Sequence, residues 1–292
     1  MFVTGSSGFI GRELVRQLEM QRHKVTGFSR GGGKDILNKA QVEKEMMGCE
    51  AVVHLAAELD ESSKMLFEIN VEGTRNVLEA AAKNRVRHFV FISTTGVLGD
   101  FEGVADEGFP YNPVTGYEKS KAVAEKLVLS YQEVLPVTVI RPSIVIGPNE
   151  YWRKIIGVVA KNYPLIGRGE NYWQTIYYMD LCEAIAGVVG EKDCFGEIYN
   201  VAEQNPKKLR ELVEIIRKET GVQGKLSTVP VFVGKIGGFF LSVIYSAMGK
   251  KSIINPSHIE RLLRNRQYST AKINALGWRS RTTTEQAIRE TI

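Results

Sequence analysis

Hydrophobic positions along the chain fall into two alternating patterns. Short apolar runs rich in Val, Ile and Phe occupy 2–4, 24–29, 51–55, 88–93 and 137–141. Between them, apolar residues recur at three- and four-residue spacing over 9–21, 38–47, 62–83 and 115–134. The first pattern predicts strands buried on both faces, and the second predicts amphipathic helices. A strand followed each time by a helix predicts an α/β fold: a Rossmann-type, doubly wound parallel sheet with right-handed connections. Past residue 145 the rhythm changes. There 151–162 reads as a helix, 175–179 as a strand, 181–189 as a helix capped by Asp180, 197–201 as a strand and 209–219 as a helix. The expected division is a dinucleotide-binding domain over 1–145, to which later segments return, and a smaller, mainly substrate-binding lobe over 146–292.

The stretch 236–248, IGGFFLSVIYSAM, carries no charge. It is shorter than the roughly 20 residues needed to span a bilayer, so no transmembrane helix is expected. It reads as a buried or pocket-lining helix, with a peripheral membrane contact as the other reading, helped by Lys250, Lys251, Arg261, Arg264 and Arg266. Composition changes little: with 43% hydrophobic and 24% charged residues, the chain has material for a core and is not expected to be disordered. Cys49, Cys182 and Cys194 are widely spaced and odd in number, which argues against a disulfide scaffold and a zinc site and suits a cytoplasmic location; no metal is expected. Met1-Phe2-Val3 meets Thr4-Gly5 at once, so no targeting peptide is expected. The net charge of +5 is small against 38 basic and 33 acidic residues. Without a nucleic-acid motif, it suits an anionic small ligand better than nucleic acid.

The segment Val3-Thr4-Gly5-Ser6-Ser7-Gly8-Phe9-Ile10-Gly11 ends the first strand and opens the first helix. Gly5 permits a tight turn, Gly8 lets a pyrophosphate approach the backbone, and Gly11 lets helix pack closely on strand. The helix N-terminus then offers unpaired N–H groups to the phosphates. Tyr117 and Lys121 stand four apart on a predicted helix, so phenol and ammonium face one ligand. A free phenol titrates near 10, and a neighbouring cation lowers that value toward useful acid–base chemistry. Ser93, Thr94 and Thr95 place hydroxyls at the C-terminal end of a buried strand, the edge where such sheets bind ligands.

The spacing GxxGxxG preceded by Thr4, with Tyr117-x-x-Ser120-Lys121, resembles the extended, epimerase/dehydratase-like branch of the short-chain dehydrogenase/reductase superfamily. Further matches are His54-Leu55-Ala56-Ala57, Asn70-Val71-Glu72-Gly73-Thr74, Ser93-Thr94-Thr95-Gly96-Val97-Leu98-Gly99, Arg141-Pro142-Ser143-Ile144-Val145-Ile146-Gly147-Pro148, Tyr178-Met179-Asp180-Leu181 and Leu276-Gly277-Trp278. The resemblance implies hydride transfer at a secondary alcohol or ketone, with Tyr117 as general acid or base, Thr94 holding the substrate oxygen and Lys121 bonding the nicotinamide ribose. It implies a cofactor wall of Gly5, Ser7, Gly8, Phe9, Ile10, Gly11, Ser29, Arg30, Asp35, Ile36, Leu55, Ala56, Ala57, Asn70, Ser93, Tyr117, Lys121, Pro142 and Ile144. Asn70 is expected to support the active-site strands, and His54 to be structural.

The second strand ends in Ser29-Arg30, where a carboxylate would serve the ribose hydroxyls of NAD; a guanidinium suits the 2′-phosphate of NADP, so NADP is expected, with NAD open. Thr95-Gly96 replaces the Asp-Glu pair of the family's sugar dehydratases, and Ile144 replaces an Asn that contacts substrate phosphate in many nucleotide-sugar enzymes. Both departures favour a reductase or dehydrogenase, akin to dihydroflavonol reductases and hydroxysteroid dehydrogenases. A nucleotide-sugar epimerase is the alternative, and a non-catalytic dinucleotide sensor or assembly subunit the alternative of another class. Tyr172-Trp173 could face an apolar substrate or fill the lobe's core. Arg168, Arg264 and Arg266 could meet a diphosphate or be solvated. The partner is expected to be a small molecule, with a homodimer formed through the helices at 62–83 and 115–134.

Overall fold

Four strands of the central sheet are buried at every residue: β1 (Phe2–Thr4), β3 (Ala51–His54), β4 (His88–Ile92) and β5 (Val137–Pro142). Burial on both faces is why their sequences are continuous apolar runs without alternation. With β2 (Thr26–Phe28) and β9 (Ile198–Val201) they form one parallel sheet in the order β2-β1-β3-β4-β5-β9. The computed structural model describes residues 1–237 and 256–292; most of the uncharged stretch 236–248 lies outside the described residues.

Helices cover both faces. On one, α2 (Lys39–Met46), α3 (Gly73–Lys83) and α4 (Gly116–Leu129) bury Val42, Met46, Val77, Leu78, Ala124 and Val128 against Phe2, Phe89 and Val137. On the other, α1 (Phe9–Met20) and α6 (Tyr178–Val188) bury Leu14, Leu18, Leu181 and Ile185 against Val3, Val53 and Val90. Strand order reverses between β1 and β3, and in open α/β sheets ligands bind beyond the strand ends at such a point. On the far side of β1, β2 is the edge; the chain turns through Arg30–Gly32 into α2 without adding an outer strand.

A second core surrounds Trp152, Trp173, Leu209, Leu212 and Ile216. It is built by α5 (Glu150–Ala160), α7 (Leu209–Glu219), the helix Thr284–Arg289 and the paired strands β6 (Ile144–Ile146) and β8 (Thr175–Tyr177). A further pair joins β7 (Leu165–Ile166) to β10 (Thr228–Val229).

Two sequence expectations change. The helix expected over 62–83 starts late: a π-helical turn, Glu68–Glu72, precedes α3. Upstream, side chains capture the backbone donors, with Ser62 N–H donating to Asp60 Oδ1 at 2.9 Å and Met65 N–H to Ser63 Oγ at 3.2 Å. Asp180 is not a helix cap, because α6 begins at Tyr178. Its carboxylate instead accepts the N–H groups of Arg281 and Thr282, at 2.9 and 2.8 Å, and so ties the C-terminal segment to α6.

Candidate functional site

A cleft of about 1750 Å³ opens at the C-terminal ends of β1, β3, β4 and β5. A single small-molecule pocket takes roughly 300–1,000 Å³, so there is room for a dinucleotide and a second ligand together. The glycine loop forms one end. Gly5 has φ +69°, and a Cβ there would sit 2.9 Å from the Ala56 nitrogen. A Cβ on Gly11 would sit 2.1 Å from the Gly5 carbonyl oxygen, which no side chain tolerates. The loop therefore closes as bare backbone. Gly8, the N-cap of α1, makes no side-chain bond, so the first-turn amides face the cleft uncapped. That cradle and the volume beyond it fit a dinucleotide.

Most residues expected to contact a cofactor do line this cleft: Gly5, Ser7, Gly8, Phe9, Ile10, Gly11, Ser29, Arg30, Asp35, Ile36, Leu55, Ala56, Ala57, Ser93, Tyr117, Lys121, Pro142 and Ile144. Asn70 does not. It is buried, its Oδ1 accepts Glu58 N–H at 2.7 Å, and its Nδ2 donates to Glu58 O and Ser120 Oγ at 3.0 and 2.9 Å. All of its amide is spent holding α4 to the loop after β3. Arg30 is exposed, with Nη2 3.5 Å from Glu58 Oε2.

His54 is part of the scaffold. Ala56 N–H donates to Thr4 Oγ1, which lies 2.6 Å from His54 Nδ1; Nε2 lies 2.9 Å from Thr74 Oγ1, which donates to Asn70 O. The chain of bonds assigns the proton to Nε2. Burial, with the Lys121 charge as a lesser cause, pulls the ring down to about 3, so it stays neutral.

The tyrosine end is built on α4. A capping box starts the helix, Thr115 Oγ1 accepting Glu118 N–H while the Glu118 carboxylate accepts Thr115 N–H. Tyr117, Lys121 and Glu125 then share one face at four-residue spacing. Lys121 Nζ donates to Ile92 O at 2.6 Å and lies 4.0 Å over the Phe91 ring. Burial pulls this ammonium down to about 7. The Tyr117 phenol goes the other way: burial first, and the Glu118 charge second, push it up to about 12. The lowering expected from Lys121 is not found: both causes acting on the phenol in the protein by itself raise it. Thr94 caps a 3-10 turn through Gly96 N–H at 3.1 Å and lines the same cleft.

Beneath these groups lies a fully buried ion pair that sequence reading passed over. Glu125 Oε1 accepts Arg141 Nη2 at 2.6 Å, Arg141 Nε at 3.0 Å and the Tyr111 hydroxyl at 2.8 Å. Its Oε2 accepts the Ser93 hydroxyl, and Arg141 Nη1 donates to Glu107 O at 3.1 Å. The network locks the strand end that carries Thr94. The spacing of 125 from 117 and 121 was the signal that could have found it.

The arginines raised for a diphosphate are placed elsewhere. Arg264 is buried against Glu118, and Arg266 lies 4.7 Å over the Trp173 ring, so neither is a solvated charge. Arg168 is exposed and outside the cleft wall. Trp173 belongs to the second core. The cleft wall also includes Leu59, Met65, Val145 and Tyr151, and the cations Lys154 and Arg261. Both cations are paired: Lys154 with Glu150 at 2.7 Å and Arg261 with Glu61 at 3.2 Å. Ser143, inside the 141–148 motif, has its hydroxyl buried in the cleft wall with no hydrogen-bond partner among the described residues. Among those residues no group of His, Cys, Asp or Glu could hold a metal ion, and no helix is long and apolar enough to cross a membrane.

Residues 1–202 match the sequence profile of the NAD dependent epimerase/dehydratase family. The chain is 24% identical over 312 residues to the N-acetyl-alpha-D-glucosaminyl-diphospho-ditrans,octacis-undecaprenol 4-epimerase of Escherichia coli O157:H7, covering 100% of this chain and 94% of that one. It is 31% identical over 265 residues to the dTDP-glucose 4,6-dehydratase of Streptomyces niveus, covering 76% and 77%. The fold superposes with a TM-score of 0.74 on RMD from Pseudomonas aeruginosa in complex with NADPH, at 23% identity over 99% of this chain and 96% of that one.

Proposed function

The chain belongs to the NAD dependent epimerase/dehydratase family, a family of nicotinamide-dependent enzymes, and we propose that it transfers a hydride between NADP and a small secondary alcohol or ketone. The observation that carries this reading is one cleft wall holding the glycine cradle, Thr94, Tyr117 and Lys121 together. The nicotinamide ring, when bound, supplies the hydride acceptor or donor and, when oxidised, a positive charge that favours phenolate. Gly5, Gly8, Gly11 and the first turn of α1 hold the pyrophosphate. Thr94 Oγ1 holds the substrate oxygen, and the Tyr117 hydroxyl gives it a proton in reduction or takes one in oxidation. Lys121, fixed by the Ile92 carbonyl, bonds the ribose.

Reduction or dehydrogenation is favoured over handling of a diphosphate-linked substrate because Ile144, in the cleft wall, stands where many nucleotide-sugar enzymes of the family have an Asn that contacts substrate phosphate. Epimerisation by transient oxidation is the second reading, supported by the Escherichia coli epimerase that aligns along the whole chain. Dehydration has little support: Thr95-Gly96 carries no acid, and Glu118, the carboxylate beside Gly96, is spent on the helix cap and Arg264. NADP preference rests on Arg30 meeting the 2′-phosphate; a strong preference for NADH in steady-state KM would remove that role. The pairing of two copies through α3 and α4, where Val123 is exposed, is part of the same reading, and sedimentation checks it. Tyr117→Phe tests the reading as a whole: about a 100-fold or greater loss of kcat is expected, with NADPH still bound. Unchanged turnover would sink it.

A further inference from the structure

The Arg30 guanidinium, which lines the cleft beyond β2, already has a partner. Its Nη2 lies 3.5 Å from Glu58 Oε2, with the Arg30 side chain 66% exposed and the Glu58 side chain 17% exposed. Arg30 follows β2 and Glu58 follows β3, so the pair reaches across β1, the strand between them. The two partners differ in freedom. Glu58 Oε1 accepts the N–H groups of Leu59 and Asp60 at 2.9 and 3.1 Å. Asn70 holds both the N–H and the carbonyl of Glu58, at 2.7 and 3.0 Å, and is itself bonded to Ser120 on α4. The carboxylate is therefore pinned, with Oε2 left for Arg30. Among the described residues, Arg30 in turn is held by this one long side-chain contact, on an exposed turn. Lys34, the other cation lining the cleft beyond β2, is bonded to Glu45 at 2.7 Å and to the Gly27 carbonyl at 3.1 Å.

Resting on the reading of Arg30 as the partner of the 2′-phosphate, we propose that Glu58 is a specificity-determining residue: it competes with that phosphate for the Arg30 guanidinium and so tempers the preference for NADP over NAD. A guanidinium binds phosphate best through two parallel N–H groups, and Nη2, the nitrogen that Glu58 holds, belongs to both of its two-pronged edges. A phosphate monoester carries roughly −1.5 to −2 at neutral pH. One guanidinium between that phosphate and a carboxylate cannot neutralise both. Glu58 cannot follow the arginine, because Asn70 and the Leu59 and Asp60 amides pin it. NADP must therefore draw Arg30 off Glu58, whereas NAD, with a hydroxyl in place of the phosphate, makes no such demand. Because Arg30 is mostly exposed, the penalty is that of a solvent-screened pair, a factor of about five at most.

The test is the affinity for NADPH and for NADH, read by fluorescence titration in the wild type, Glu58→Gln, Arg30→Met and the double variant Arg30→Met/Glu58→Gln. Glutamine keeps an oxygen for the Leu59 and Asp60 N–H groups while removing the charge. In Glu58→Gln the Kd of NADPH falls about three- to fivefold, while that of NADH stays within about twofold of the wild type. In Arg30→Met the Kd of NADPH rises about tenfold or more, that of NADH is unchanged, and adding Glu58→Gln brings no gain. If Glu58→Gln does not fold, Glu58→Asp, whose shorter side chain draws the charge back from Arg30, decides by the same sign. An unchanged ratio of the two Kd values in Glu58→Gln overturns the proposal. So does weaker NADPH binding there, which would make Glu58 the support that holds Arg30 ready, and so does a gain that persists without Arg30. Equal weakening of NADPH and NADH in Arg30→Met removes the 2′-phosphate role itself, and the proposal with it. A selective loss in Arg30→Met without the gain in Glu58→Gln removes Glu58 alone. These titrations need no turnover, so they stand whatever Tyr117→Phe does to the rate.

Discussion

At the glycine-loop end of the cleft the wall is mostly backbone, supplied by one stretch from Val3 to Gly11 and braced by Ala56. At the tyrosine end the wall is side chains, held by charge pairs between distant segments: Glu125 with Arg141, Glu118 with Arg264, and Glu61 with Arg261. The first end depends on atoms that are absent, since a Cβ on Gly11 has nowhere to go. The second depends on atoms that are present and matched. Substitutions should therefore fail at the two ends for opposite reasons, by overcrowding in one case and by an orphaned charge in the other.

The largest expected effect is at the tyrosine end. Arg141→Met leaves the Glu125 carboxylate buried without its cation, and breaking such a pair costs about 3–5 kcal/mol. Urea denaturation measures it. A loss under about 1 kcal/mol would mean that the pair behaves as a surface bridge, despite side chains that are 1% and 0% exposed. Next comes Gly11→Ala. Forced against the Gly5 carbonyl, it should cost about 1–3 kcal/mol and abolish NADPH binding, read by fluorescence titration. Retained binding would mean that the loop can open to take a methyl group, and the contrast between the two ends would weaken.

A smaller effect separates neutral from charged scaffolding. His54 lies behind the glycine loop, held to about 3 by burial, and His88 bonds Thr138 and Gly190 and is held to about 4. An unfolded histidine titrates near 6.5. Below that pH the unfolded chain takes up protons that the folded one refuses, so acid favours unfolding. Each histidine contributes fully above pH 6.5 and loses about 1.4 kcal/mol per pH unit toward its folded value. Stability measured from pH 7 to 5 should fall accordingly, and the fall should shrink in His54→Gln. An unchanged slope would assign the acid sensitivity to the carboxylates of the tyrosine end.

The same contrast explains what the sequence made legible. A backbone cradle must be contiguous, so Gly5, Gly8 and Gly11 announce themselves by spacing; so does a helix face, in Tyr117 and Lys121. A charge pair across 146 residues leaves no local trace. Arg264 therefore read as a surface charge, though the fold buries it. Asn70 and Asp180 were visible as motif positions, but their partners, Glu58 with Ser120 and the backbone of 281–282, come from tertiary packing alone. The sheet was legible because buried parallel strands are unbroken apolar runs. The late start of α3 was not, since Asp60 and Ser63 capture donors that helical periodicity would have assigned to a helix.

The smallest effect lies where the two ends meet. Ser143 follows Pro142 at the end of β5, is 7% exposed, and has a hydroxyl that no described residue pairs. A buried hydroxyl without a partner burdens the fold, and removing it is close to neutral or stabilising. Ser143→Ala should therefore leave the ligand-free protein unchanged, or raise its stability by up to about 1 kcal/mol, while lessening the gain in melting temperature on adding ligand. That pattern would mark the hydroxyl as part of the binding wall, kept at a cost to the fold. A Ser143→Ala protein less stable than the wild type without ligand would show instead that the hydroxyl is paired in solution. Ser143 would then join Glu125 and Arg264 as scaffold, and the tyrosine end would consist of matched groups throughout.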